Sequence, residues 1–242
     1  MFTSNSYNKK NAFTLAEVLI TLGIIGVVAA LTIPSLINNY KAKRLRSQFL
    51  KSYSTVQQVF KQMEADDVSL DPKTYTGLNS AFYRTFMNYL QGAMDCGSSG
   101  KGQKQGYPCY AIFVAAGATK DEPYKTFDGG TANESTFDDG EIALQDGTLL
   151  LFENNPNDTD LPIFVSVDLN GYKNPPNRWG YDLFTFQFID GELLTMGAQG
   201  TAYTDMGAYC NPNGGGILNG IACAQKAKED TDYFKKLVNE FK

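Results

Sequence analysis

The chain has 242 residues, with 21 Lys and Arg against 26 Asp and Glu, a formal net charge of −5 and no histidine. That balance offers no basic surface for a run of phosphates, so nucleic acid is not among the expected partners. The lack of histidine removes Ser-His-Asp and Cys-His catalysis and every His-ligated metal site.

Residues 1–12, MFTSNSYNKKNA, form a polar leader that ends just after Lys9 and Lys10. From Phe13 to Ile33 the sequence is apolar, with Glu17 as its one charge. As a helix this stretch spans ~30 Å, the thickness of a bilayer core. A secretory signal would be shorter and followed by a small-residue cleavage site. Ala29-Ala30-Leu31 fills that role poorly, because the apolar run continues to Ile37. Burying Glu17 near a membrane costs roughly 2–3 kcal/mol on insertion scales. A cut between Ala12 and Phe13 would create an α-amino group four residues before Glu17, one helical turn away. The two could neutralise each other within a chain or between neighbouring chains.

The string KKNAFTLAEVLITLGIIGVVAALTIPSL resembles the cleavage and methylation segment of type IV prepilins and type II secretion pseudopilins. The resemblance rests on the basic leader, a small residue before Phe13, Glu17 as fifth residue of the cut chain, and the unbroken apolar run. Gly26 and Pro34 stand where that family loosens its helix. The resemblance implies that a prepilin peptidase cuts between Ala12 and Phe13 and methylates the new Phe13 amine. It departs from the family at Ala12, where Gly is usual. It covers about 30 residues of the chain.

After the apolar run, Leu45, Phe49, Tyr53, Val56, Phe60 and Met63 recur at steps of three and four, giving one apolar stripe. Pro34 kinks a helix rather than ending it in this context. One helix is therefore expected from Phe13 to Ala65: residues 13–37 as transmembrane or filament-core segment, 38–66 as amphipathic continuation. Basic Lys41, Lys43, Arg44 and Arg46 suit a membrane-proximal face. Residues 67–242 are expected to form an extracytoplasmic globular domain whose sheet receives the stripe. Within it the pattern predicts a helix over 78–90, a strand over 111–116, and a hairpin over 141–152 turning at Asp146-Gly147. Another strand is expected over 162–168, a second hairpin over 182–194 turning at Asp190-Gly191, and a C-terminal helix with Phe234, Leu237, Val238 and Phe241 on one stripe. The adjacent Asp138 and Asp139 read as solvated loop charge.

Cys96, Cys109, Cys210 and Cys223 carry the spacing C-x12-C twice and no CxxC. Four cysteines allow three connectivities. The repeated spacing favours Cys96–Cys109 and Cys210–Cys223, and disulfides imply an oxidising compartment. That compartment and the family both place the C-terminal domain outside, against the positive charge after the span. The block VDLNGYKNPPNRWGYD also resembles pseudopilins, whose neighbouring loops bind calcium in several cases. Asp168, Asn170 and Asp182 would supply oxygens to a structural Ca²⁺, although Asx-turns account for the same residues. Asp158 and Asp160 lie near in sequence.

These readings converge on an α+β, pilin-like fold: a long N-terminal helix packed on an antiparallel sheet. The expected protein is a single-pass inner-membrane subunit with a cytoplasmic N-terminus and a periplasmic or extracellular domain, assembling into a type IV pilus-like or type II secretion filament. Its partners would be other pilin or pseudopilin subunits, prepilin peptidase and the inner-membrane assembly machine. Catalysis is not expected, since no Walker A loop or G-x-S-x-G elbow occurs. The alternative is a membrane-tethered binding module or enzyme, most plausibly a minor pilin tip adhesin.

Overall fold

The computed structural model describes residues 13–75, 82–98, 106–110, 122–154 and 163–240. The expected strand over 111–116 and Phe241 lie outside them, as do Asp158 and Asp160. Two compact units divide the chain, Met1–Lys41 and Ala42–Lys242.

Helix α1 runs from Leu15 to Ala65, with Pro34 inside it. Ala42, Leu45, Phe49, Ser52, Val56, Val59, Phe60 and Met63 are its buried residues. Their spacing puts them on one face, as the apolar stripe requires. That face meets one side of a six-stranded antiparallel meander in which every strand neighbours the next in sequence. The strands are β1 (Met94–Gly97), β2 (Gly140–Ala143), β3 (Leu149–Glu153), β4 (Phe164–Asp168), β5 (Leu183–Ile189) and β6 (Glu192–Thr195). Among the described residues four short α-helices accompany the sheet: α2 (Phe82–Met87), α3 (Met206–Tyr209), α4 (Cys223–Glu229) and α5 (Tyr233–Glu240). This is the α+β arrangement expected from the sequence.

The central strands are buried on both faces, and alternation divides them between two cores. Leu150, Phe152, Val165, Val167, Phe184 and Phe186 pack in the core that includes α1, α2 and α5. Leu149, Leu151, Phe164 and Leu183 point to a second core around Tyr110, Tyr124, Phe137 and Trp179. Phe49 anchors α1 to the sheet, with its ring 4.9 Å from Phe184, 5.8 Å from Phe186 and 5.9 Å from Phe234. Polar contacts fix the register along the helix. Gln48 Nε2 donates to Leu169 O at 3.0 Å and Tyr53 Oη to Leu193 O at 2.7 Å.

Several elements differ from the sequence reading. The β2–β3 loop closes with Gly147 N donating to Leu144 O and Leu144 N to Thr148 O. Gln145 and Asp146 are therefore the central turn residues, and Gly147, at φ 89°, is the left-handed residue that follows them. In the β5–β6 turn, Asp190 and Gly191 are central, both at positive φ (48° and 82°). The helix expected over 78–90 is observed as α2 alone, with 76–81 outside the described residues. Strand β1 escaped notice because Met94-Asp95-Cys96-Gly97 has neither alternation nor β-branched residues.

Candidate functional site

The first described residues of α1 form a capping box, Thr14-x-x-Glu17. Thr14 N donates to Glu17 Oε2 at 2.8 Å, Thr14 Oγ1 donates to the same oxygen at 2.8 Å, and Glu17 N donates back to Thr14 Oγ1 at 3.3 Å. Glu17 thus satisfies the orphan donors of its own helix start, where a negative charge also suits the helix dipole. The T-x-x-E spacing announces this role for Thr14, which the sequence reading missed by treating Glu17 only as a charge awaiting an amine.

Beyond the cap, α1 contains the one helix segment among the described residues long and apolar enough to cross a membrane. Leu19, Ile20, Leu22, Ile24, Ile25 and Val27 are all exposed. The hydroxyls of Thr21 and Thr32 donate to backbone carbonyls of the preceding turn, so neither needs water. A Cβ added at Gly26 would meet nothing within 4 Å, and the same holds at Gly23. Nothing inside the chain therefore demands glycine at either position. Pro34 lies within the helical run. Ala12 lies outside the described residues, and Phe13 is exposed.

In the second unit, Cys96 is bonded to Cys109 with Cα atoms 5.5 Å apart, and Cys210 to Cys223 at 4.9 Å. The first bridge starts in β1 and the second joins the end of α3 to the start of α4.

Asp168 and Asp182 come together and are fully buried. Asp168 Oδ1 accepts from Asn170 N and Gly171 N, and its Oδ2 from the Tyr124 hydroxyl at 2.8 Å. Asp182 accepts from Asn177 N at 3.1 Å and Arg178 N at 2.7 Å. Burial raises both carboxyls above the ordinary range, and the neighbouring Asp168 pushes Asp182 further. The Asn170 amide is turned to Asn174, each side chain donating to the other's carbonyl at 2.7 Å. Every carboxylate oxygen here faces a proton donor, as in turn-closing aspartates, while Asn170 Oδ1 is buried without a donor.

Residues 7–33 match the family model described as the prokaryotic N-terminal methylation motif. That is the prepilin-type cleavage and methylation signature of type IV pilins and pseudopilins, and it supports a pilin- or pseudopilin-like subunit. With the apolar helix beside it, the motif suits a membrane-anchored chain, and with the sheet behind it the fold is pilin-like. No curated protein and no solved structure matches the chain.

Proposed function

We propose that the chain is a structural filament subunit, released from its leader by cleavage between Ala12 and Phe13, methylated on the Phe13 amine, and assembled through residues 13–37 of α1. The observation that carries this reading is an apolar helix segment exposed all round and headed by Thr14 and Glu17, inside the matched motif. In the membrane, lipid covers the apolar side chains. Drawn out of it, they must pack on identical helices of other subunits, because exposure to water costs ~25 cal/mol for each Å² of apolar surface. Gly23 and Gly26 then have a use that the single chain lacks, since small residues let helices approach closely.

Glu17 serves as the register element. In the single chain it is held by Thr14. Cleavage places a charged amine on Phe13, directly before the Thr14 N–H that already binds Glu17, so the carboxylate can exchange a local cap for an ion pair. In a filament core an amine from a neighbouring chain competes for the same oxygen, and only one axial offset brings the two together. The globular unit, stapled by two disulfides, would sit in an oxidising compartment outside the cytoplasm.

The experiment is N-terminal sequencing and intact mass of the protein from the membrane fraction of expressing cells. The expected product starts at Phe13 and carries a methyl group. A product starting after Ala30, or one recovered soluble outside the membrane, would refute the proposal in favour of an ordinary secretory signal.

A further inference from the structure

Strands β2 and β3 end side by side. Asp139 N donates to Phe152 O at 3.0 Å, one step beyond the Gly140–Phe152 register pair. The step sets Asp138-Asp139 against Glu153-Asn154. One carboxylate oxygen from each of Asp138, Asp139 and Glu153 lies within 4.8 Å of the other two. The two aspartates are half-buried and not the solvated loop charge their sequence suggests.

A second observation concerns the buried oxygens. Glu153 is 9% exposed and Asn154 6%, yet Glu153 Oε2 and Asn154 Oδ1 have no hydrogen-bond donor. The large majority of buried side-chain polar atoms find a partner. Here two adjacent residues at one strand end each leave an oxygen unmatched, and the Glu153 carboxylate is aimed at two others. The Asn154 backbone N–H meanwhile holds Asp139 Oδ2 at 2.8 Å, which fixes the Asp139 carboxylate beside them. Burial and the two aspartates push the Glu153 carboxyl up to about 8.

We propose that Asp138, Asp139 and Glu153 form a calcium site. The donors are all oxygen, which selects a hard cation. Calcium takes oxygens at about 2.3–2.6 Å, so two on opposite sides of it stand about 4.6–5.2 Å apart. The cluster's oxygens, all within 4.8 Å of one another, come close enough to share one such ion. Magnesium demands a strict octahedron at about 2.0–2.1 Å and gives up its water reluctantly, so it seldom settles in an all-protein carboxylate cluster. The ligands come from two strand ends rather than from one loop, so an ion there ties the open end of the β2–β3 hairpin. Occupancy in the cell rests on the extracytoplasmic placement proposed above; binding itself does not.

The test uses the full chain purified in detergent and stripped with EGTA at pH 7.5. Calcium chloride is titrated calorimetrically, and melting is followed with and without about 5 mM of the ion, a level set by the affinities of extracellular calcium modules. Saturable binding and a rise of about 5 °C are expected, with magnesium chloride giving a much smaller rise. Glu153→Gln should abolish the calcium response while leaving the calcium-free protein at least as stable, because a neutral amide then stands beside the two aspartates. That pairing separates loss of the site from loss of the fold. Asn170→Ala, at the Asp168 turn, should keep the response. No heat and no shift in the wild type would overturn the site, leaving a proton shared among the three carboxylates. A response that survives Glu153→Gln would overturn it equally.

Discussion

The capping geometry of Glu17 makes its role in assembly separable from its role in its own helix. Two substitutions part them. Thr14→Val removes one donor and one acceptor of the capping box, Thr14 Oγ1, but leaves the Thr14 N–H position and the carboxylate in place. Lost caps cost ~1 kcal/mol, a few-fold effect on an equilibrium, and a 51-residue helix tolerates some fraying at one end. Glu17→Ala removes the cap and the carboxylate together. In a filament core the Phe13 amine of the processed chain would then stand unpaired among apolar side chains, a penalty of ~3–5 kcal/mol. At 1.4 kcal/mol per decade, that is a disadvantage of at least ~100-fold. The assay is competition: each variant is co-expressed with wild-type chains, and its share is measured by mass spectrometry in the membrane and in sheared filaments. Both variants should be inserted and cut normally, since removing a charge only eases membrane insertion. Thr14→Val should enter filaments within several-fold of wild type, and Glu17→Ala should be nearly absent from them. Equal entry of Glu17→Ala would refute the register argument. If Thr14→Val is excluded as strongly as Glu17→Ala, then Glu17 acts only as a helix cap.

Two further predictions concern the globular unit. Phe49→Ala, which empties the site among Phe184, Phe186 and Phe234, should cost ~3–5 kcal/mol and lower the melting temperature by about 10 °C, whereas Leu50→Ala on the exposed side should change stability by less than about 0.5 kcal/mol. The second follows from the raised carboxyls of Asp168 and Asp182. A folded-state pKa above the unfolded one gives stability that is complete below the ordinary carboxylate range, about 4, and lost as pH rises through the folded value. The pair should therefore make the wild type less stable as pH rises above about 4, by up to ~1.4 kcal/mol per pH unit for each proton released, and Asp182→Asn should flatten that decline. Melting curves at successive pH values check it, and parallel curves for wild type and variant would contradict it.

How much of this was legible in the sequence depended on whether a residue's environment is set by its neighbours in the chain. The α1 stripe was legible because its partners recur every third or fourth residue, and each of the six positions named from the sequence is buried except Tyr53, which is partly buried against the same core. Phe184 and Phe186 were assigned to one face of β5 by alternation alone, and both reach the α1 core. The β2–β3 turn was misplaced by one residue because Asp-Gly serves both as a two-residue turn and as the last two residues of a three-residue one; the Leu144–Thr148 pair that decides between them is a ladder bond, not a composition. Strand β1 is given its state by its pairing with β2 and not by its own four residues.

The same distinction separates the acidic groups. Glu17 stands out in sequence because it interrupts an apolar run, and its partner Thr14 lies three residues away. Asp168 and Asp182 stand out because each heads a turn whose N–H groups follow or precede it within five residues. Asp138 and Asp139 have no such local mark: their charge looks solvated until the β2–β3 register brings Glu153 from fourteen residues further on. Burial then reverses their meaning, because a carboxylate that water no longer solvates must find donors, a proton or a cation. Asp168 and Asp182 found backbone donors. Glu153 Oε2, buried at the hairpin's open end beside Asp138 and Asp139, found none, and a divalent cation would supply that charge.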